Sequence, residues 1–175
     1  VKYTIVRSQN SDIATLDEMG IYVDGLGSYN ESDEVGNGGA TPAVAETVEL
    51  PEIPYDQQTE SYAFWIIYDS PYATITYKQV AAGVGAPTSD AINTAFEAHY
   101  EAEWVLEAEV DLADGDQLFV KVVSEDGKVT RFYKLVVSLE AAPEPEPEAA
   151  GASTRTVGPG SAVGSFAVSA GEDSD

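Results

Sequence analysis

The chain has 175 residues, of which 43% are hydrophobic and 17 are aromatic (2 Trp, 10 Tyr, 5 Phe), with no cysteine and one histidine. The absence of cysteine rules out a disulfide scaffold, a thiolate zinc site and a cysteine nucleophile, and a lone histidine leaves no nucleophile–base pair to nominate, so the composition speaks against an enzyme. Thirty-one acidic against 8 basic residues give a formal net charge of −23, which argues against nucleic acid and anionic membranes as partners, because both need basic patches.

No apolar run approaches the roughly 20 residues of a membrane span. The length suits one domain of ordinary size with extensions. Self-repulsion at this charge makes high salt, divalent cations or a basic partner stabilising, which fits a saline or calcium-containing extracellular setting. The plainer reading of the same charge is that it keeps a surface protein soluble.

Residues Lys2–Ser8 alternate, with Tyr3 and Ile5 on one face, and predict a strand. Its Tyr3-Thr4-Ile5-Val6 echoes Tyr133-Lys134-Leu135-Val136 near the other end. Three readings follow: the closing strand of a preceding repeat, a strand exchanged with a neighbouring subunit, or a strand of the same sandwich. A start at Val1 suits either a processed mature form or an excised fragment.

Gly20–Val23 predicts a short strand, and Gly25–Ala45 a long loop rich in Gly, Asn, Ser, Asp and Glu. Loops longer than about 12–15 residues are functional or disordered as a rule. Within it Asn30, Glu31, Asp33, Glu34 and Asn37 collect the oxygen ligands calcium takes, although their spacing is not that of an EF-hand; a solvated acidic loop is the competing reading.

Leu50–Tyr55 is extended, because each of its prolines disfavours helix in the residue before it. Tyr62–Tyr68 is a continuous apolar strand, buried on both faces or with one face against a neighbour, and Tyr72–Val80 is the next strand. Trp65, Tyr68 and Tyr72 could together form a sugar-stacking platform; packing in the core is the alternative.

Thr88–Thr94 predicts one helical turn capped by Ser89, with Asp90 near the positive end of its dipole. From Phe96 to Val110 every even position is apolar, so a period of two outranks the helical propensity of Ala and Glu. Fifteen residues are long for one strand, which predicts a bulge or break near Glu101–Glu103. The polar face of this stretch carries Glu97, His99, Glu101, Glu103, Glu107 and Glu109, inviting a cation or basic partner unless it is merely solvated.

Val110–Leu139 holds the clearest signal: strands of about Leu118–Ser124 and Val129–Leu139 around Glu125-Asp126-Gly127, with Asp114-Gly115 marking the preceding turn. Asp-Gly between alternating hydrophobics is a hairpin cue, since glycine takes the positive φ of a primed turn freely. After Leu139 the chain becomes a semi-rigid Pro/Glu linker, 140–153, and then a Gly/Ser-rich tail, 154–175. The tail contains a short β-prone piece, Ser161–Ala170, with Val163, Phe166 and Val168 as its apolar residues.

Gly115, the alternating strand after it, the Glu125-Asp126-Gly127 turn and the closing Tyr133-x-Leu135-x-Val137 together resemble the end of the cadherin-like β-sandwich repeat of bacterial surface proteins. Gln58–Phe64 is similar to that repeat's second strand and Ala73–Val80 to its third. The resemblance covers roughly Ile13 to Leu139 and departs from the family pattern in insertions around Gly25–Glu46 and Gly83–Ala95. It implies an all-β, antiparallel Ig-like sandwich over 13–139, preceded by the 1–12 strand.

The expectation is therefore a non-catalytic, extracellular or cell-surface structural protein. Its subunits would join into a homo-oligomer or filament by β-strand addition, with Tyr3 and Ile5 or Val163, Phe166 and Val168 at the contact. The alternative is a surface binding module that takes calcium, or a glycan, with no other cofactor.

Overall fold

A computed structural model describes residues 12–23, 27–29, 35–100 and 104–145. The described residues up to Ala141 belong to one compact unit, and 142–145 fall to a second. The first unit is all-β. Its strands are β1 (Leu16–Val23), β2 (Gly27–Tyr29), β3 (Glu46–Glu49), β4 (Tyr62–Tyr68), β5 (Thr74–Val80), β6 (Thr94–Ala95), β7 (Ala98–Tyr100), β8 (Val105–Val110), β9 (Gln117–Val123) and β10 (Thr130–Val136). Among the described residues no helix is long and apolar enough to cross a membrane.

The strands form two five-stranded sheets, sheet A in the order β2-β1-β4-β8-β7 and sheet B in the order β3-β10-β9-β5-β6. β4 shows why. Tyr62, Phe64, Ile66 and Tyr68 are buried while Ala63, Trp65 and Ile67 between them are half-buried, so the apolar run is a core face plus a partly open outer face. Sheet B answers with Leu118, Val120 and Val122 of β9 and Tyr133 and Leu135 of β10, all essentially inaccessible, and these residues join Met19, Ile21, Phe64 and Ile66 of sheet A in one core. Each large side chain so buried contributes roughly 1.5–3 kcal/mol.

Sheet B is not wholly antiparallel, as the sequence predicts it to be. β3 runs parallel to β10, with Val48 beside Leu135, and the alignment continues to a bridge between Ile53 and Leu139. The Gly25–Ala45 segment, expected to be loop, contains β2, a bridge from Gly39 to Phe132 and a 3-10 turn at Pro42–Val44. Gly38 has φ of +75°, and a β-carbon on it would lie 2.8 Å from Arg131 Cβ and 2.9 Å from Tyr133 Cζ, so glycine is needed for the close approach to β10.

The Phe96–Val110 stretch is two strands rather than one. The break expected near Glu101–Glu103 falls outside the described residues, but the strands on either side of it, β7 and β8, pair antiparallel, Ala98 opposite Glu107 and Tyr100 opposite Val105. Trp104, immediately before β8, has φ of +55°. At Ser89–Ala91 the helical turn is 3-10, and its cap is Thr88 rather than Ser89, without a side-chain capping bond.

The β9–β10 hairpin is closed by Ser124 and Val129, whose backbones bond at 2.9 Å, leaving a four-residue loop rather than a two-residue primed turn. Gly127 takes the expected positive φ, +72°. Asp126 Oδ1 accepts from Ser124 Oγ and from the Lys128 amide, which holds its carboxyl below the usual range. At the turn before β9, buried Asp116 is satisfied by the Ala113 amide at 3.0 Å and Gln79 Nε2 at 2.8 Å.

Tyr133 ties these parts together. It is inaccessible on β10, its hydroxyl accepts from the Leu16 amide of β1 at 3.2 Å, and it donates to the Gly36 carbonyl at 3.4 Å. Burial pushes its phenol above the ordinary value of 10; the Leu16 amide works against that rise, and the Asp69 and Glu46 charges add to it. Tyr133→Phe should cost about 1–2 kcal/mol at neutral pH, read as a lower urea midpoint. Because the folded protein holds this proton more tightly than the unfolded chain does, the stability tied to it is complete below pH 10 and is lost as pH rises beyond. The phenylalanine variant should accordingly lose less stability than wild type between pH 8 and 11, and an equal loss would contradict this role.

Candidate functional site

The outer face of sheet A is the surface that stands out chemically. Pairing across β1, β4, β8 and β7 places its side chains in three rows: Glu18, Ile67, Val105 and Tyr100; then Gly20, Trp65, Glu107 and Ala98; then Tyr22, Ala63 and Glu109. Tyr22 is 43% exposed and Tyr100 48%, while Trp65, Ile67 and Val105 are half-buried. Gly20 is buried and lies directly across from Trp65, in the arrangement by which an aromatic ring covers a strand glycine.

The strands of sheet A carry no lysine or arginine but four acidic residues, Asp17, Glu18, Glu107 and Glu109. At one corner of the face, Tyr22, Ser61, Glu97, Glu107 and Glu109 line an open cleft of about 340 Å³. Glu97 reaches this corner because the chain passes directly from β6, the edge of sheet B, to β7, the edge of sheet A. Its amide donates to the Glu107 carbonyl at 2.9 Å, and its Oε2 accepts from the Glu109 amide at 3.0 Å. Ser61 Oγ donates to Glu109 Oε2 at 3.1 Å. Beneath this corner Phe96 packs on Phe64 and Tyr77, with ring centroids 5.6 and 4.8 Å away, closing the gap between the sheets.

Of the aromatics expected to form a platform, only Trp65 faces this surface. Tyr68 points to the opposite side of β4, 5% exposed, where it stacks on Trp104 at 6.0 Å and shares a hydrogen bond with His99 Nε2. Tyr72 is 65% exposed in the turn after β4. An alternating strand puts Trp65 and Tyr68 on opposite faces, so the three cannot form one platform. Tyr22 and Tyr100 are the missed members of the surface; alternation alone marks them as solvent-side once the buried face of β1 and the β7–β8 hairpin are known.

Glu107 and Glu109 share the outer face as the period of two implies, but His99 falls in register with Leu106, on the other side. The single polar row from Glu97 to Glu109 is therefore not formed, because the chain folds back on itself. Of the calcium candidates, Asn37 is exposed in a turn, while Asn30, Glu31, Asp33 and Glu34 lie outside the described residues, as do Tyr3, Ile5, Val163, Phe166, Val168, Glu101 and Glu103. Among the described residues no three His, Asp or Glu side chains are grouped so as to hold a metal ion.

An aromatic face bordered by carboxylates can bind through stacking, apolar contact and accepted hydrogen bonds. In comparison with known proteins, the chain matches no family model and shows significant similarity to no curated protein.

Tyr77, beneath the corner, has its phenol raised first by burial and then by the Glu97 charge. Glu97→Gln should therefore bring the Tyr77 phenol partway back toward its ordinary value, leaving the contribution from burial. Ultraviolet titration referenced to a Tyr77→Phe variant checks this, and an unchanged Tyr77 titration would contradict the placement of Glu97.

Proposed function

We propose that this chain is a non-catalytic subunit of an extracellular surface assembly, built on an Ig-like sandwich of the cadherin-like kind. The observation that carries the reading is the outer face of sheet A, where exposed Tyr22 and Tyr100 flank half-buried Trp65, Ile67 and Val105. Aromatic residues gathered on an open face are the composition of contact surfaces rather than of solvated ones. The family part of the proposal is supported by positive φ at Gly115 and Gly127 and by the burial of Tyr133, Leu135 and Val137, the positions that carry the resemblance.

Strand addition between subunits, with Lys2–Ser8 or Ser161–Ala170 as donor, belongs to the same proposal. The strands at the edges of the two sheets are short, two to four residues each, and β3 carries Glu46 and Glu49 with Pro51 just beyond it. Short, charged edges with nearby proline resist added strands. A sheet face is therefore better suited to the main contact, with a donated strand as reinforcement. Deleting residues 152–175 should weaken assembly while leaving the sandwich folded; a truncated protein that assembles like the full chain would remove the tail as donor.

The face itself is tested by Tyr22→Ser with Tyr100→Ser in the full chain. Both rings are exposed, so the unfolding free energy from urea denaturation should stay within about 1 kcal/mol of wild type. Concentration-dependent association, read by sedimentation, should fall at least tenfold. Association equal to wild type would contradict the reading.

A glycan-binding module is the second reading, favoured by the cleft where Tyr22 stands beside Glu97, Glu107 and Glu109, offering a stacking ring and acceptors for sugar hydroxyls. Calorimetric titration with a glycan panel should then give saturable heat that Tyr22→Ala abolishes, and no heat across the panel would remove it. Calcium, bound by the 30–37 loop or bridging acidic faces, would show itself if a chelator dissolved the assembly.

A further inference from the structure

The basic residues of this acidic chain are not scattered. The strands of sheet B hold four of them, Lys78, Lys121, Arg131 and Lys134, against two acidic residues, Glu46 and Glu49. Sheet A has none. Alternation sends Arg131 to the side of Tyr133 and Leu135, and Lys78, Lys121 and Lys134 to the outer face. There the register sets Lys78 and Lys134 on either side of Phe119 in one row, with Lys121 in the next, between Thr76 and Phe132.

This face is finished rather than open core. Ile92, from the segment between β5 and β6, packs with Val80, Phe119 and Phe132 in a second buried cluster. Lys121 is committed to it, its Nζ donating to the Ser89 carbonyl at 2.8 Å. Lys134 Nζ lies 5.9 Å from the centre of the Phe119 ring. The ion pair of Lys128 with Asp126 lies in the β9–β10 loop and involves neither lysine of the row. Lys78 and Lys134 are thus two half-exposed cations flanking a ring on one side of the sandwich. On the other side stand Glu107 and Glu109 beside aromatic rings.

We infer that the outer face of sheet A in one copy docks on the outer face of sheet B in a second copy, with Glu107 and Glu109 meeting Lys78 and Lys134. The inference rests on the proposed assembly and names the partner of its contact face. Charge complementarity supplies register and discrimination: turning two sheet A faces together would oppose carboxylates, and two sheet B faces would oppose lysines. Because the two faces lie on opposite sides of one sandwich, the contact is head to tail and each docked copy presents a free face to the next, so it stacks without closing.

Size sets its strength. Three central strands of roughly 20–25 Å and two much shorter edge strands, about 4.8 Å apart, give a face of about 430 Å² in plan, below the ~800 Å² per partner of a standard interface. One contact should therefore be weak, with dissociation in the range of about 0.1–1 mM, and act through repetition along a stack. Ionic strength of about 0.15 M screens the repulsion between two acidic bodies beyond ~8 Å while sparing charges in contact.

The test is sedimentation of the full chain at that ionic strength up to about 1 mM, with two charge reversals: Lys78→Glu with Lys134→Glu, and Glu107→Lys with Glu109→Lys. Each variant alone should associate at least tenfold more weakly than wild type, because each presents like charges on its two faces. Mixed in equal amounts they should associate again, since the acidic variant's sheet A face then meets the basic variant's sheet B face.

Urea midpoints confirm that each variant is folded, and Lys78→Glu alone, which leaves Lys134 over the Phe119 ring, serves if the double variant is not. If the lysine reversals associate like wild type while the Tyr22 and Tyr100 changes abolish association, sheet A remains the contact face and its partner is not sheet B. A mixture that fails to recover overturns the pairing. A wild-type chain that stays monomeric throughout overturns both readings.

Discussion

The packing of Tyr133 is the constraint on which the rest of the structure depends. A tyrosine buried in an apolar core must find partners for its hydroxyl or lose the hydrogen bonds it makes with water. Here the partners come from two places far away in sequence, the Leu16 amide at the start of β1 and the Gly36 carbonyl ahead of β3. The hydroxyl thus ties sheet B to sheet A and to the segment that leads into the parallel strand. Gly38 follows from it, since anything larger would press on the ring of Tyr133. The parallel β3–β10 pair follows in turn, for Gly39 bridges Phe132 and delivers the chain alongside β10.

The second organising feature is the passage from β6 to β7 around Phe96. There a single extended run leaves the edge of one sheet and joins the edge of the other, so one side of the sandwich is closed by covalent continuity and aromatic packing. Glu97 turns this crossing into a fixed corner by accepting the Glu109 amide. The consequence is that β7 and β8 present their outward side chains on the same face as β1 and β4, which is how Tyr22, Trp65, Glu107 and Tyr100 come to share one surface.

Strand existence was largely legible in the sequence. β4 matches its expected span, Tyr62–Tyr68, residue for residue, and the β9–β10 hairpin is displaced only at its ends. Those segments are decided by local alternation and by glycine in turns, which a sequence displays directly. What was not legible depends on contacts between distant residues. β3 is four residues with a glutamate at each end, and only its parallel alignment with β10 makes it a strand. The Phe96–Val110 pattern keeps its period of two through a reversal, so counting alone could not distinguish a long strand from a hairpin. The same limit governed the site: Trp65 was identifiable as a large aromatic, but its cross-strand neighbours, Gly20 and Glu107, are set by register across three strands. The lysines of sheet B could not be collected onto one face until the β5–β9–β10 alignment placed Lys78 and Lys134 in the same row.

Taken together, the two sheets separate charge: carboxylates and aromatic rings on one outer face, lysines around a buried phenylalanine on the other. In a chain of formal charge −23, that separation gives the sandwich two unlike sides, which the proposed stacking would use. The most direct measurement is a nuclear magnetic resonance dilution series on the isotopically labelled full chain. The account requires side-chain signals of Tyr22, Trp65, Glu107 and Glu109 to shift with concentration together with those of Lys78 and Lys134, along one binding curve. Signals that stay constant with concentration, or shifts confined to one face or to the C-terminal tail, would contradict it.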